Sequence, residues 1–126
     1  MRILLIGEYS NVHWTLAQGL RALGHEVTVA SGGDCWKGYP RDIDLCHRMN
    51  LRGHASFAWR VLCALPKLRG YDIVQLINPV FLEMRPGPHR LIFDYLCRNN
   101  KHVVFKEYFI FWLSSIFNPF TFYLAV

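Results

Sequence analysis

Ile3-Leu4-Leu5-Ile6-Gly7 opens the chain, and His25-Glu26-Val27-Thr28-Val29-Ala30 follows one helix-length later. Four apolar residues in a row, with no polar alternation, describe a strand covered on both faces, and such strands belong to parallel sheets. Between the two runs, Val12, Leu16, Leu20 and Leu23 recur at helical spacing. Ser10 or Asn11 can cap that helix and Gly24 can close it. Working outward, Ser31 to Gly53 is irregular and holds Gly32, Gly33, Gly38 and Pro40. Loops of that length in a small domain are functional or mobile. Phe57, Val61, Leu65 and Leu68 predict a second helix, which Pro66 kinks or shortens and Gly70 stops. Tyr71 to Ile77 predicts a third strand closed by Asn78-Pro79, Leu91, Ile92, Tyr95 and Leu96 a third helix ending at Asn99-Asn100, and His102 to Phe105 a fourth strand. Strand and helix in strict alternation predict an α/β fold, a Rossmann-like three-layer sandwich with a mainly parallel sheet. Ligands in such folds sit at the carboxyl ends of the strands.

Composition narrows the partners. The 126 residues suit one domain, and a hydrophobic content of 52% is enough for a core. Fourteen Lys and Arg against nine Asp and Glu leave +5, which favours anionic partners. No Lys/Arg run is interleaved with aromatics, so nucleic acid is not an expected partner. Cys35, Cys46, Cys63 and Cys97 fit no metal-ligand spacing and are read as reduced thiols, with Cys63 and Cys97 packed on helices. The apolar start is too short for a signal peptide and Glu8 interrupts it, so a cytoplasmic start is the expectation.

Residues 1–107 carry every charge and form the predicted domain, whereas 108–126 carry none and hold eight of the nineteen aromatics. Three readings stand for that tail: the product of an interrupted or frame-shifted gene, a packed segment, or a membrane segment of just sufficient length.

The turn after the first strand, Gly7-Glu8-Tyr9-Ser10-Asn11-Val12-His13, opens onto the crevice and leads into a helix N-terminus. Glu8, Ser10, Asn11 and His13 suit hydrogen bonding to a polyhydroxylated ligand, and Glu8 or His13 is a candidate general base. Alternatively Ser10 and Asn11 only cap the helix and His13 fills a surface turn. A dinucleotide fingerprint would need glycines where Tyr9 and Val12 stand, so no nicotinamide or flavin cofactor is expected despite Asp34 nearby. Ser31-Gly32-Gly33-Asp34 lies at the same edge and lets backbone approach a ligand or simply makes a turn. Asn78 is a further candidate contact, and Lys106-Glu107 follow the fourth strand. Arg48, Arg52, Arg60, Lys67 and Arg69 make the second helix and its approach basic, which suits either an anionic lipid surface or plain solvation.

Two stretches carry a family resemblance. Met1 to His13, followed by Leu16-Ala17-Gln18-Gly19-Leu20-Arg21-Ala22-Leu23-Gly24-His25-Glu26-Val27-Thr28-Val29-Ala30-Ser31, looks like the start of a group 1 (family 4) glycosyltransferase. Leu65-Pro66-Lys67-Leu68-Arg69-Gly70-Tyr71-Asp72-Ile73-Val74-Gln75-Leu76-Ile77-Asn78-Pro79 is similar to that family's third-strand region. The resemblance covers residues 1 to about 105. It implies one half of a GT-B enzyme, the half that binds a glycan or lipid-linked acceptor, while a second domain binds the nucleotide sugar without a metal. By position, Gly7, Glu8, Ser10, Asn11 and His13 match the acceptor-side loop, and peripheral contact with the inner membrane face is implied. The family's Glu-x7-Glu donor motif does not occur in these residues. The expectation is therefore a chain that lacks the donor half and does not turn over alone.

Overall fold

The computed structural model describes residues 1–34, 37–46, 51–82 and 88–106, without the side chains of 51–54. The tail 108–126, Glu107, Cys35 and Arg48 lie outside the described residues. The elements run β1 (Arg2–Ile6), α1 (Val12–Ala22), β2 (Glu26–Ser31), β3 (Ile43–Asp44), α2 (Leu51–Ala64), a 3-10 turn (Leu65–Lys67), β4 (Ile73–Leu76), α3 (His89–Asn99) and β5 (His102–Phe105). The five strands form one sheet, all parallel, in the order β3-β2-β1-β4-β5. The α/β reading therefore holds, with the classical doubly wound strand order of Rossmann-like sheets.

Right-handed crossovers decide which helix covers which face. The step from β1 to β2 runs one way along the sheet and puts α1 on one side; the steps into β4 and β5 run the other way and put α2 and α3 on the opposite side. Alternate residues of each strand follow suit. Ile3, Leu5, Val27 and Val29 meet Ala17 of α1, with Trp14, Leu16 and Leu20 packed around them. Leu4, Ile6, Val74 and Leu76 meet Phe57, Val61, Ala64, Ile92 and Leu96 from α2 and α3. β1, buried from Ile3 to Ile6, feeds both layers, and β2 does so too, with Val27 and Val29 toward α1 and Ala30 toward α2 and α3.

Several local expectations are corrected. The stretch from Ser31 to Gly53 holds the strand β3, two residues long and too short to show a period. A side chain outside the strand secures it: Asp42 Oδ2 accepts from Val29 N at 2.7 Å and from Arg21 Nη2 at 2.6 Å. In the same region Asp44 accepts from Arg41 at 2.8 Å and from Arg60 of α2 at 2.6 Å. Burial opposes ionisation of Asp44, yet the Cys46 N–H and these two guanidiniums hold its carboxyl below the usual range. The buried face of α1 is turned toward His13 and Ala17, and Leu23, expected inside, is 75% exposed at the helix end. Small Ala17 lets the helix lie close to the sheet. Gly24 does close α1, through paired bonds from Gly24 N to Arg21 O and His25 N to Leu20 O. On α3, Ile92 and Leu96 are buried but Leu91 is exposed, and Tyr95 reaches across to give its hydroxyl to Leu65 O at 2.8 Å. Pro66 ends α2 as expected, at the 3-10 turn. Cys63 and Cys97 do lie on helices but are exposed, not packed.

Gly7 and Gly24 both have positive φ, 86° and 84°. A Cβ at Gly24 would meet nothing within 4 Å, whereas at Gly7 it would collide with Ile77 Cγ2 and lie 3.0 Å from Phe81 O. Gly24→Ala is expected to cost about 1 kcal/mol from backbone conformation alone, and Gly7→Ala about 2–4 kcal/mol because overpacking adds to it. Urea unfolding of the two variants checks this; equal losses would mean that the Ile77 contact imposes no constraint.

Candidate functional site

The strand order reverses between β1 and β4, because β1 sends the chain toward β2 while β4 sends it toward β5. The crevice outside their carboxyl ends is where open α/β sheets take ligands. Here it is bounded by the turn after β1, the loop after β2, and Ile77-Asn78-Pro79 after β4.

The turn after β1 is built from its acidic residue. Ser10 and Asn11 sit in the left-handed region, with φ of 51° and 62°. That conformation folds the chain back so that Glu8 lies beneath the start of α1. Glu8 Oε1 accepts from Tyr9 N at 2.9 Å and His13 N at 3.1 Å, and Oε2 accepts from Trp14 N at 3.0 Å. The free N–H groups of the first helical turn are thus met by a carboxylate, which also suits the positive end of the helix. Capping by Ser10 or Asn11 side chains does not occur; Asn11 occupies the N-cap position without a side-chain bond.

His13 is also enclosed, with no exposed surface. Its Nδ1 lies 2.7 Å from Gly7 O and its Nε2 3.2 Å from Gln75 Nε2 on β4. A carbonyl oxygen only accepts, so Nδ1 carries the proton and Nε2 accepts from the Gln75 amide. Burial lowers its pKa from 6.5 to about 4, with Lys106 adding to the fall and the Gly7 bond opposing it. The ring is neutral at neutral pH and both nitrogens are in use. Glu8, 3% exposed, and His13 are both buried, and their polar atoms hold the turn together. His13 is not the filler of a surface turn. Gly7 is buried and packs closely under Ile77.

The exposed polar groups form an outer rim. Asp34, at φ 57°, accepts from Ser10 N at 3.0 Å and from Lys37 Nζ at 2.8 Å, tying the loops after β1 and β2 together. The hydrogen bond that Lys37 donates to Asp34 raises the lysine's pKa. Lys37 stands over the rings of Tyr9 at 5.8 Å and Tyr39 at 5.9 Å. Gly33 is needed there: a Cβ would collide with Arg41 Nη1 and crowd Tyr39. Sequence reading singled out Asp34 but had no signal for Lys37, Tyr9 or Tyr39, which come together only through the folded-back loops. Asn78 closes its own turn, accepting from Val80 N at 2.7 Å. Among the described residues, the three non-glycine residues at positive φ all lie on this one edge, and strain of this kind collects at ligand sites.

From the rim an open groove of about 740 Å³ runs down the flank of α1. Ser10, Asn11, Thr15 and Lys106 line its polar end, and Val12, Leu16, Leu20 and Leu23 its apolar length. Asn11 Oδ1 is buried with no hydrogen-bond partner among the described residues. Asn78 does not line this groove. Among the described residues no group of His, Cys, Asp or Glu is arranged to hold a metal, and no helix is long and apolar enough to cross a membrane. The chain matches no family model, no curated protein and no solved structure.

The buried His13 gives stability a pH signature. The unfolded chain takes up its proton near pH 6.5 and the folded chain only near 4, so the unfolded state binds more protons between them. This contribution is complete above the window and falls by roughly 3 kcal/mol as the pH drops through it. Urea unfolding above and below the window is expected to show the loss in the wild type and not in His13→Gln; parallel losses would contradict it.

Proposed function

We propose that this chain is the acceptor-side, Rossmann-like part of a glycosyltransferase of the GT-B type, acting on a glycan joined to an apolar carrier. The observation that carries the reading is the groove along α1. Its polar end suits sugar hydroxyls, and its apolar length suits a lipid or other hydrocarbon chain. The unpartnered Asn11 Oδ1 at the polar end is an acceptor waiting for a hydroxyl donor. The strand reversal between β1 and β4, and the family resemblance of residues 1 to about 105, support the same reading.

In this reading Ser10, Asn11 and Thr15 orient the acceptor, with Asn78 at the neighbouring strand end, while Glu8 and His13 keep the rim in shape. The nucleotide sugar belongs to a second domain across the cleft, and the proton acceptor for the attacking hydroxyl lies outside Glu8 and His13. The proposed setting is the cytoplasmic side of a membrane, where lipid-linked acceptors are presented. A second reading, a non-enzymatic binding module, draws on the engagement of both candidate acid–base groups.

Titration of the 15N-labelled chain with an alkyl glycoside, below its micelle concentration, tests the groove. Amide shifts are expected at Ser10, Asn11, Thr15 and Lys106, with none there on adding a nucleotide sugar. Asn11→Gly keeps the left-handed backbone and removes the amide, so binding is expected to weaken by about 3- to 10-fold without loss of stability. Shifts elsewhere, or an unchanged affinity in Asn11→Gly, would contradict the assignment. Addition of a donor-binding domain then separates the two readings: sugar transfer to the glycoside supports the enzyme, and its absence the binding module.

A further inference from the structure

α2 and α3 each lead into a parallel strand, so they run side by side in the same direction. Between them lies an apolar groove of about 470 Å³, with Leu62 and Leu65 on one wall, Leu91 and Tyr95 on the other, and Val61 and Ile92 at its floor. The Tyr95 hydroxyl donates to Leu65 O at 2.8 Å and ties the two walls together, so the cleft is formed in the free chain. Its rim is apolar as well: Leu62 is 60% exposed, Leu91 72%, and Trp59, one turn before Leu62, 69%.

Cations without partners stand at both ends of this groove. Arg90 precedes Leu91 at the head of α3, and Arg98 lies one turn beyond Tyr95 at its foot. There Asn100 donates to Leu68 O at 3.0 Å, which brings Lys67 and Arg69 to the same end. Among the described residues Arg60 of this layer pairs with Asp44, whereas Lys67, Arg69, Arg90 and Arg98 are exposed with no ion-pair partner. Residues 51–69 and 88–99 carry six Lys and Arg against the single Asp94, so an acidic counterpart has to come from outside the layer.

Shape and charge together select the occupant. A cleft between two helices takes an inserted ridge of side chains, the mode in which an amphipathic helix lays its apolar stripe into a groove. A bilayer surface is flat on this scale and presents no ridge, and a second copy would bring the same uncompensated cations against these. Exposed Trp and Arg beside a formed cleft are the residue types that anchor protein interfaces. We propose that the α2–α3 groove binds an acidic amphipathic helix of a partner protein. Its apolar stripe fills the cleft between Leu62 and Leu91, and its Asp and Glu residues meet Arg90 at one end and Arg98 and Lys67 at the other. The site lies on the opposite face of the sheet from the groove along α1, so it stands apart from the glycosyltransferase reading.

The probe is a synthetic acidic helix of about four turns, with leucines on one stripe and glutamates on its flanks, labelled for fluorescence anisotropy. The full chain is expected to bind it at least about tenfold more tightly than a peptide of the same composition with the leucines scattered, and to release it on added salt. In 15N spectra, amide shifts are expected at Leu62, Leu91 and Tyr95 and not along α1. Leu62→Ser with Leu91→Ser is expected to weaken binding at least about tenfold, and Arg90→Gln with Arg98→Gln by about 3- to 10-fold. All four side chains are exposed, and circular dichroism verifies that both variants keep the fold. No binding of the acidic peptide, or equal binding of the scattered one, would overturn the proposal. So would binding that survives both pairs of substitutions. Capture on phosphatidylglycerol vesicles without peptide binding would assign the face to a lipid surface and overturn it. A dimer that the leucine substitutions convert to monomer would overturn it in favour of a second copy.

Discussion

The carboxyl edge of the sheet depends on how closely the chain leaving β1 passes the chain leaving β4. Gly7 lies against Ile77 with no space for a side chain, and its carbonyl accepts from His13. The other nitrogen of that ring takes the amide of Gln75, so one buried imidazole joins the turn after β1 to the strand on the far side of the reversal. Once that path is set, the left-handed pair Ser10 and Asn11 swings Glu8 under α1, and the helix starts on a carboxylate. The geometry of the rim follows from these contacts, not from the loops that decorate it.

Two polar sets result, and they do different work. The inner set of Glu8, His13 and Gln75 is consumed by the fold; a buried group that loses its partner costs stability by the full desolvation of the one left behind. The outer set of Ser10, Asn11, Asp34 and Lys37 remains at the surface, held by short bonds and by backbone conformations that cost energy. That separation is why side chains of acid–base type in a crevice turn are poor evidence of acid–base chemistry until their partners are known.

Much of the architecture was legible in the order of residues. Uninterrupted apolar runs such as Ile3 to Ile6 mark strands buried on both faces, and Gly24, Pro66 and Gly70 punctuate the helices where local chemistry demands. β3 was hidden because two residues have no period and because Asp42, a side chain, provides what a longer strand would provide with backbone. The face of α1 was misjudged by one position because spacing favours leucines over a histidine, yet His13 is buried by its bonds and Ala17 by its size. Of the candidate site, the sequence pointed to the turn after β1 and to Glu8, Ser10, Asn11 and His13 within it. It did not reveal their roles, since whether Glu8 faces a ligand or the helix is set by the left-handed residues after it, and left-handed Ser10 leaves no mark in composition. Lys37 joined Tyr9 only through folding.

The inner set is the central claim, and the tautomer of His13 tests it most directly. Long-range proton–nitrogen NMR spectra of 15N-histidine-labelled protein at neutral pH distinguish the three ring states. The account predicts a neutral His13 ring protonated at Nδ1, with Nε2 as a hydrogen-bonded acceptor, and a resonance that does not titrate until well below pH 6. A ring protonated at Nε2, or an imidazolium at neutral pH, would contradict it and return His13 to the candidates for proton transfer.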